Sequence, residues 1–128
     1  MGMYTELIFG ASLKTDTPKE VIDTLRYMVG DIEQPEKLAF DSNRNPLRGG
    51  SHYFGVISGA TKMYYNDTAK CWVLSSRANI KNYDSDIETF LECIKPFVDS
   101  GSGDRDMYAI TIYEEQSEPT VYYLYDAD

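Results

Sequence analysis

Met3 to Gly30 reads MYTELIFGASLKTDTPKEVIDTLRYMVG, and a change of period inside it decides the fold. From Met3 to Leu13 the residues alternate. Leu7, Phe9, Ala11 and Leu13 fall on one side, and Tyr4, Glu6, Ile8 and Ser12 on the other. Strand side chains alternate with period two, so this segment predicts a strand with one face in a core. From Thr17 the period lengthens. Thr17-Pro18-Lys19-Glu20 has the form of a capping box with proline at the first helical position. Val21, Ile22, Leu25, Met28 and Val29 then recur as the stripe of an amphipathic helix. Gly30 suits the left-handed position just past its end.

Working outward, residues 31–50 are irregular and end in FDSNRNPLRGG, a surface loop rich in turn formers. HYFGVIS (52–58), TKMYY (61–65) and KCWVLSS (70–76) follow, separated by Ser58-Gly59-Ala60 and Asn66-Asp67-Thr68, which predicts a meander. Ser85-Asp86-Ile87-Glu88 supplies a second capping box, and Ile87, Phe90, Leu91, Ile94, Phe97 and Val98 recur at helical spacing. Pro96 should loosen the last turn, because it lacks an N–H and crowds the carbonyl of Glu92. Two strands close the chain, MYAITIYEE (107–115) and TVYYLYD (120–126), joined around Gln116–Pro119. The expectation is one α+β domain over residues 1–128, with Met1-Gly2 an expression remnant and Met3 the natural start. Its architecture is a two-layer sandwich: a mostly antiparallel sheet of about six strands, two helices on one face, in the order βαββ-βαββ.

Charge narrows the function classes. The chain has 128 residues and a formal net charge of −9. Asp99, Asp104, Asp106, Glu114, Glu115, Glu118, Asp126 and Asp128 oppose only Arg105 beyond residue 98, while residues 40–81 hold Arg44, Arg48, Lys62, Lys70, Arg77 and Lys81 against Asp41 and Asp67. An acidic molecule repels nucleic acid at long range, so direct nucleic-acid binding is not expected. No apolar run is long enough for a membrane span, and the first residues lack the pattern of a secretion signal. Cys71 and Cys93 stand apart without a CxxC, and the chain holds one histidine, which excludes a zinc site of the usual spacing. Reduced, structural thiols in a cytoplasmic protein are expected, with no cofactor.

The glycine-serine loop DSGSGDRD (99–106) could cradle a phosphate, hold a metal, or turn the chain. Phosphate loops run from a strand into a helix, whereas this one runs from a helix into a strand and carries three aspartates. A calcium loop needs a carboxylate spacing that is not met. The turn reading is preferred, with Gly101 past the helix and Gly103 easing the chain into the next strand. His52, Cys71 and Cys93 could form a nucleophilic centre only if folding brought them together, and the ordinary structural reading is preferred for each. Glu114 and Glu115 alternate along the predicted strand, so they do not form a paired acid and base. No catalytic motif is present, and a non-enzymatic role is expected.

Two binding sets remain. Asn43, Arg44, Arg48, His52, Arg77 and Lys81 gather in or near the Gly/Asn/Pro loop and the strand ends. Arginines there can hold phosphate or carboxylate through bidentate hydrogen bonds, or can neutralise the acidic terminal hairpin. Arg44, Arg48, His52 and Arg77 are the candidate site for a small anion or nucleotide. The second set is tyrosine mixed with acid in the last hairpin: Tyr113, Glu114, Glu115, Tyr123 and Tyr125, with Tyr123 and Tyr125 on one strand face and Tyr122 on the other. Two helices cover only one face of a sheet, leaving the other solvated, paired in a homodimer, or free for recognition.

Taken together, MYTELIFGASLKTDTPKEVIDTLRYMVGDI, NPLRGGSHYFGV, SRANIKNYDSDIETFLECIKPF and GSGDRDMYAITIYEE resemble small accessory proteins carried by tailed phages and prophages. That resemblance implies an acidic protein made in a bacterial cytoplasm. It also implies inhibition of a host defence protein by binding, or sequestering of a nucleotide signal. The leading expectation is an inhibitor of a bacterial protein partner acting through Tyr113, Glu114, Glu115, Tyr123 and Tyr125. The alternative is a small-anion or nucleotide binder.

Overall fold

A computed structural model of the chain describes residues 4–40, 45–48, 61–82, 85–99 and 107–125. The alternating first segment is a strand, β1 (Thr5–Ser12), and the 3.6-period segment after it is a helix, α1 (Lys19–Met28). β2 (Lys62–Asn66), β3 (Cys71–Ile80), α2 (Asp86–Ile94), a 3-10 turn (Lys95–Phe97), β4 (Met107–Tyr113) and β5 (Thr120–Tyr123) follow. The five strands form one open antiparallel sheet in the order β2-β3-β1-β4-β5. The expected α+β class therefore holds. The sixth strand, HYFGVIS at 52–58, lies outside the described residues.

Register explains which face is covered. Leu7 sits opposite Ala78 and Thr111, Phe9 opposite Ser76 and Ala109, and Ala11 opposite Leu74. All of these but the half-buried Ala11 are buried, and Phe9 meets Phe90 of α2 edge-on at 5.9 Å. Val21, Ile22, Leu25 and Met28 of α1 join the same core cluster as Ile87, Phe90, Leu91 and Ile94 of α2. Both helices thus cover one face. A slip in register between Met107 and Ala109 turns Tyr108 inward beside Ala109, where its ring meets Phe9 at 6.0 Å, and leaves Met107 exposed. Burial, with Glu92 and Tyr122 nearby, pushes the Tyr108 hydroxyl above its ordinary pKa of 10.0.

Helix ends differ from expectation in an instructive way. Gly30 adopts φ +90° and closes a Schellman end: its N–H donates to the Tyr27 carbonyl and the Asp31 N–H to that of Arg26. Asn45 adds a side-chain cap, donating to the Met28 carbonyl at 2.6 Å. At the start of α1, however, the Thr17 hydroxyl donates to the Lys14 carbonyl at 2.6 Å and makes no capping bond. Thr17 thus tightens the turn that delivers β1 into the helix. At the start of α2, Ser85 sits at φ 57° with no side-chain cap. Asn82 does that work: its Oδ1 accepts from the Ile87 N–H at 3.0 Å, and its Nδ2 donates to Glu88 at 2.6 Å. The capping-box spacing placed the start of α2 but set that of α1 one residue early, since Pro18 is the cap and not the first helical residue, and it assigned the hydrogen bonds to the wrong residues. Pro96 ends α2 as expected, with the chain tightening into the 3-10 turn.

The relocation of the cap has a measurable consequence. Asn82→Ala should lower stability by about 1 kcal/mol, whereas Ser85→Ala should change it by less than about 0.5 kcal/mol. Urea unfolding of the two variants checks this, and equal losses would return the cap to Ser85.

Candidate functional site

The turn between β2 and β3 is built by one side chain. Asn66 Oδ1 accepts from the N–H groups of Thr68 and Ala69, at 3.0 and 3.1 Å, and the Asn66 carbonyl accepts from Lys70 N–H at 2.8 Å. Closing that turn puts Lys70 at φ 58°, a left-handed conformation that a side chain adopts only at a cost. The strand that follows opens with Cys71 and Trp72. Trp72 pairs with Tyr65 across the hairpin, their rings 5.5 Å apart and nearly perpendicular. The Leu13 N–H donates to the Trp72 carbonyl at 2.8 Å, which brings Lys14 and Thr15 alongside.

Helix α1 forms the opposite wall. Ile22, Asp23 and Arg26 fall on one side of it, and the Arg26 guanidinium lies 5.2 Å from the Trp72 ring centroid, within cation–π range. Between the walls is a cleft of about 340 Å³, lined by Lys14, Thr17, Lys19, Arg26, Tyr65, Lys70 and Trp72 among others. That volume is at the small end of ligand pockets, about 300–1,000 Å³.

The electrostatics of the cleft run against those of the molecule. Lys14, Lys19, Arg26 and Lys70 line it against one carboxylate, Asp23, a net of +3 in a chain of −9. Lys19 Nζ already holds Asp23 at 2.6 Å. Among the described residues, Lys14, Arg26 and Lys70 have no acidic partner. Moreover, the Arg26 Nε–H is buried and makes no hydrogen bond. A buried donor left unsatisfied costs about 1–3 kcal/mol. The first turn of α1, bearing Lys19 at the rim, adds the positive end of a helix dipole.

The residues singled out from sequence lie elsewhere. Arg44 and His52 fall outside the described residues, as does the part of the glycine-serine loop from Ser100 to Asp106. Arg48 is exposed and packs its guanidinium against Gly30 at the end of α1. Arg77 projects from the sheet face opposite the helices, where its Nε–H donates to Glu6 Oε1 at 2.7 Å. Arg48 and Arg77 are therefore on different layers and do not converge. Glu6 is 3% exposed and Arg77 51%, so the arginine shields a buried carboxylate. Beside them Asn79 is 2% exposed, and its side-chain amide has no hydrogen-bond partner.

The terminal hairpin is also rearranged. β4 stops at Tyr113, so Glu114 and Glu115 stand in a turn and do not alternate along a strand. β5 stops at Tyr123, which leaves Tyr125 exposed beyond it. Alternation sets Tyr113 with Ala109 and Thr111 on the helix side. Tyr122 packs against the core, which directs Tyr123 to the opposite side. Cys71 is buried at the start of β3, among the residues that border the cleft, and Cys93 is half-buried on α2. No group of three or more His, Cys, Asp and Glu side chains among the described residues is placed to hold a metal. No described helix is long and apolar enough to cross a membrane.

Comparisons with protein-family models, curated proteins and solved structures give no match.

The Glu6–Arg77 pair distinguishes a structural arginine from a binding one. Arg77→Ala should destabilise the fold by about 1–3 kcal/mol by stranding a buried carboxylate. Glu6→Gln with Arg77→Ala should recover part of that loss. Chemical denaturation of the single and double variants measures it, and an unchanged midpoint in Arg77→Ala would show the pair to be dispensable.

Proposed function

We propose that this protein binds and sequesters a small anionic ligand in the cleft between α1 and the β2–β3 hairpin. The observation that carries this reading is the convergence on the cleft of Lys14, Arg26 and Lys70, which have no acidic partner among the described residues. Two features support it. Lys70 is held at positive φ at the edge of the cleft, where glycine would be unstrained, and strained residues cluster at ligand sites. The net charge of −9 does not defeat binding, because exposed charges more than about 8 Å apart are largely screened at physiological ionic strength. Sequestering needs no catalytic group, and it agrees with the resemblance to phage accessory proteins acting in a bacterial cytoplasm.

A second reading concerns the acidic end of the chain, as the surface of an inhibitor of a bacterial protein partner. It is favoured by the exposure of Glu115, Glu118 and Tyr125 around β5, a four-residue strand at the edge of the described sheet. With Glu114 and Tyr123 these residues would meet a basic surface and be steered to it by charge, while Tyr113, on the helix side, drops out of the set. Glu115→Lys with Glu118→Lys should then abolish capture of that partner. Capture that survives both the charge reversal and raised salt would end this reading.

The cleft makes its own prediction. The chain has a single tryptophan, and Trp72 lines the cleft, so ligand entry should change its fluorescence. Phosphate or sulfate should give a saturable change that weakens with salt, together with a rise in melting temperature. Lys70→Gly should weaken binding about tenfold, the loss of one charge-assisted hydrogen bond. The same substitution should leave stability equal or up to about 1 kcal/mol higher, because glycine relieves the positive φ. Fluorescence and melting temperature unmoved by phosphate, sulfate and carboxylate anions would exclude the reading.

A further inference from the structure

Two adjacent tyrosines of β2 have exposed rings, Tyr64 at 54% and Tyr65 at 43%. Alternation sends them to opposite faces, and of the two only Tyr65 lines the cleft. Trp72 is not equivalent to it. The Arg26 guanidinium lies over the indole, the Tyr65 ring meets it in an edge contact, and the residue is half-buried. Tyr65 therefore presents an open aromatic surface immediately beside the cationic residues.

We infer that the ligand is a nucleoside monophosphate, with its base stacked on Tyr65 and its phosphate held by Lys14, Arg26 and Lys70. This rests on the anion-binding reading and specifies its ligand class. The charge of the cleft selects the anion. With Lys19 held by Asp23, three cations remain, which suits a phosphate monoester of charge about −2 better than a single carboxylate. The Arg26 guanidinium is fixed on Trp72, so its N–H groups are oriented before a ligand arrives, and it offers paired donors to phosphate oxygens. Aromatic side chains recognise bases by stacking, worth roughly tenfold or more in affinity per base removed. Volume limits the occupant to one small ligand: about 340 Å³ has no room for an oligonucleotide.

Calorimetric titration of the full chain with inorganic phosphate, the four common nucleosides and their 5′-monophosphates tests this. At least one monophosphate should bind tenfold or more tightly than phosphate, and its nucleoside should bind weakly. Tyr65→Ala should reduce that monophosphate to the affinity of phosphate while phosphate binding persists, which also shows that the variant is folded. Tyr65→Phe should keep the advantage, because the ring is retained. Tyr64→Ala, at the more exposed residue on the other face, should change nothing. Phosphate binding with no gain from any nucleoside, or equal losses in Tyr64→Ala and Tyr65→Ala, would overturn the inference and leave the anion site standing. Failure of phosphate and every monophosphate to bind would overturn both.

Discussion

Slide β1 by one residue along β3 and every consequential side chain changes sides. Thr5 lies opposite Ile80 and Ser12 opposite Val73, so Leu74, Ala78 and Ile80 face the helices while Arg77 and Asn79 face away. The same register turns Trp72 toward α1. A shift of one would place Arg77 in the apolar layer and remove Trp72 from the cleft, because strand side chains repeat with period two. β1 is bonded on both edges, to β3 and to β4, and Phe9 on it touches both Phe90 and Tyr108. The buried Glu6 carboxylate, held by Arg77, adds a polar lock on the opposite face. The apolar row resists a slip by the loss of burial, and the ion pair resists it by the penalty of an unpaired charge.

Within that frame the cleft is a product of edges and ends. The last residues of β1, the first turns of α1 and the closed end of the β2–β3 hairpin meet there. Such places leave backbone groups unpaired and side chains free to project, which suits them to binding. The acidic surface elsewhere has a complementary effect: at low ionic strength it disfavours anions in general, so only a site with concentrated positive charge can retain one. Arg26 links the two demands. Its guanidinium stabilises the α1–β3 contact through Trp72, and its positive charge lines the cleft.

Much of the fold was legible before folding. The alternation of Leu7, Phe9, Ala11 and Leu13, the stripe from Val21 to Met28, the left-handed Gly30 and the stop at Pro96 all rest on local geometry, and all are found. The caps were legible only as positions. Ser85 sits where a capping residue belongs, but the cap of α1 is Pro18, one residue past Thr17, which bonds Lys14 instead, and the work at α2 falls to Asn82. The strand ends were misjudged for a related reason. β3 continues to Ile80 because β1 supplies partners that far, and β5 ends at Tyr123 with no further pairing to β4 beyond it.

The candidate site was not legible, and the physical reason is specific. Lys14, Arg26, Tyr65, Lys70 and Trp72 come from a strand end, a helix, a second strand, a turn and a third strand, with no fixed spacing between them. The sequence alone settles periodicity, element type, helix ends and the acidic balance of the chain, since each depends on neighbours within a few positions. Which cations lose their acidic partners is a matter of distance in space. Arg77, prominent in sequence, is consumed by Glu6 across the β1–β3 ladder, while Arg26, inconspicuous on a helix, is left facing a cleft. Only the tertiary structure decides that, because pairing energies fall with separation and burial depends on every layer at once.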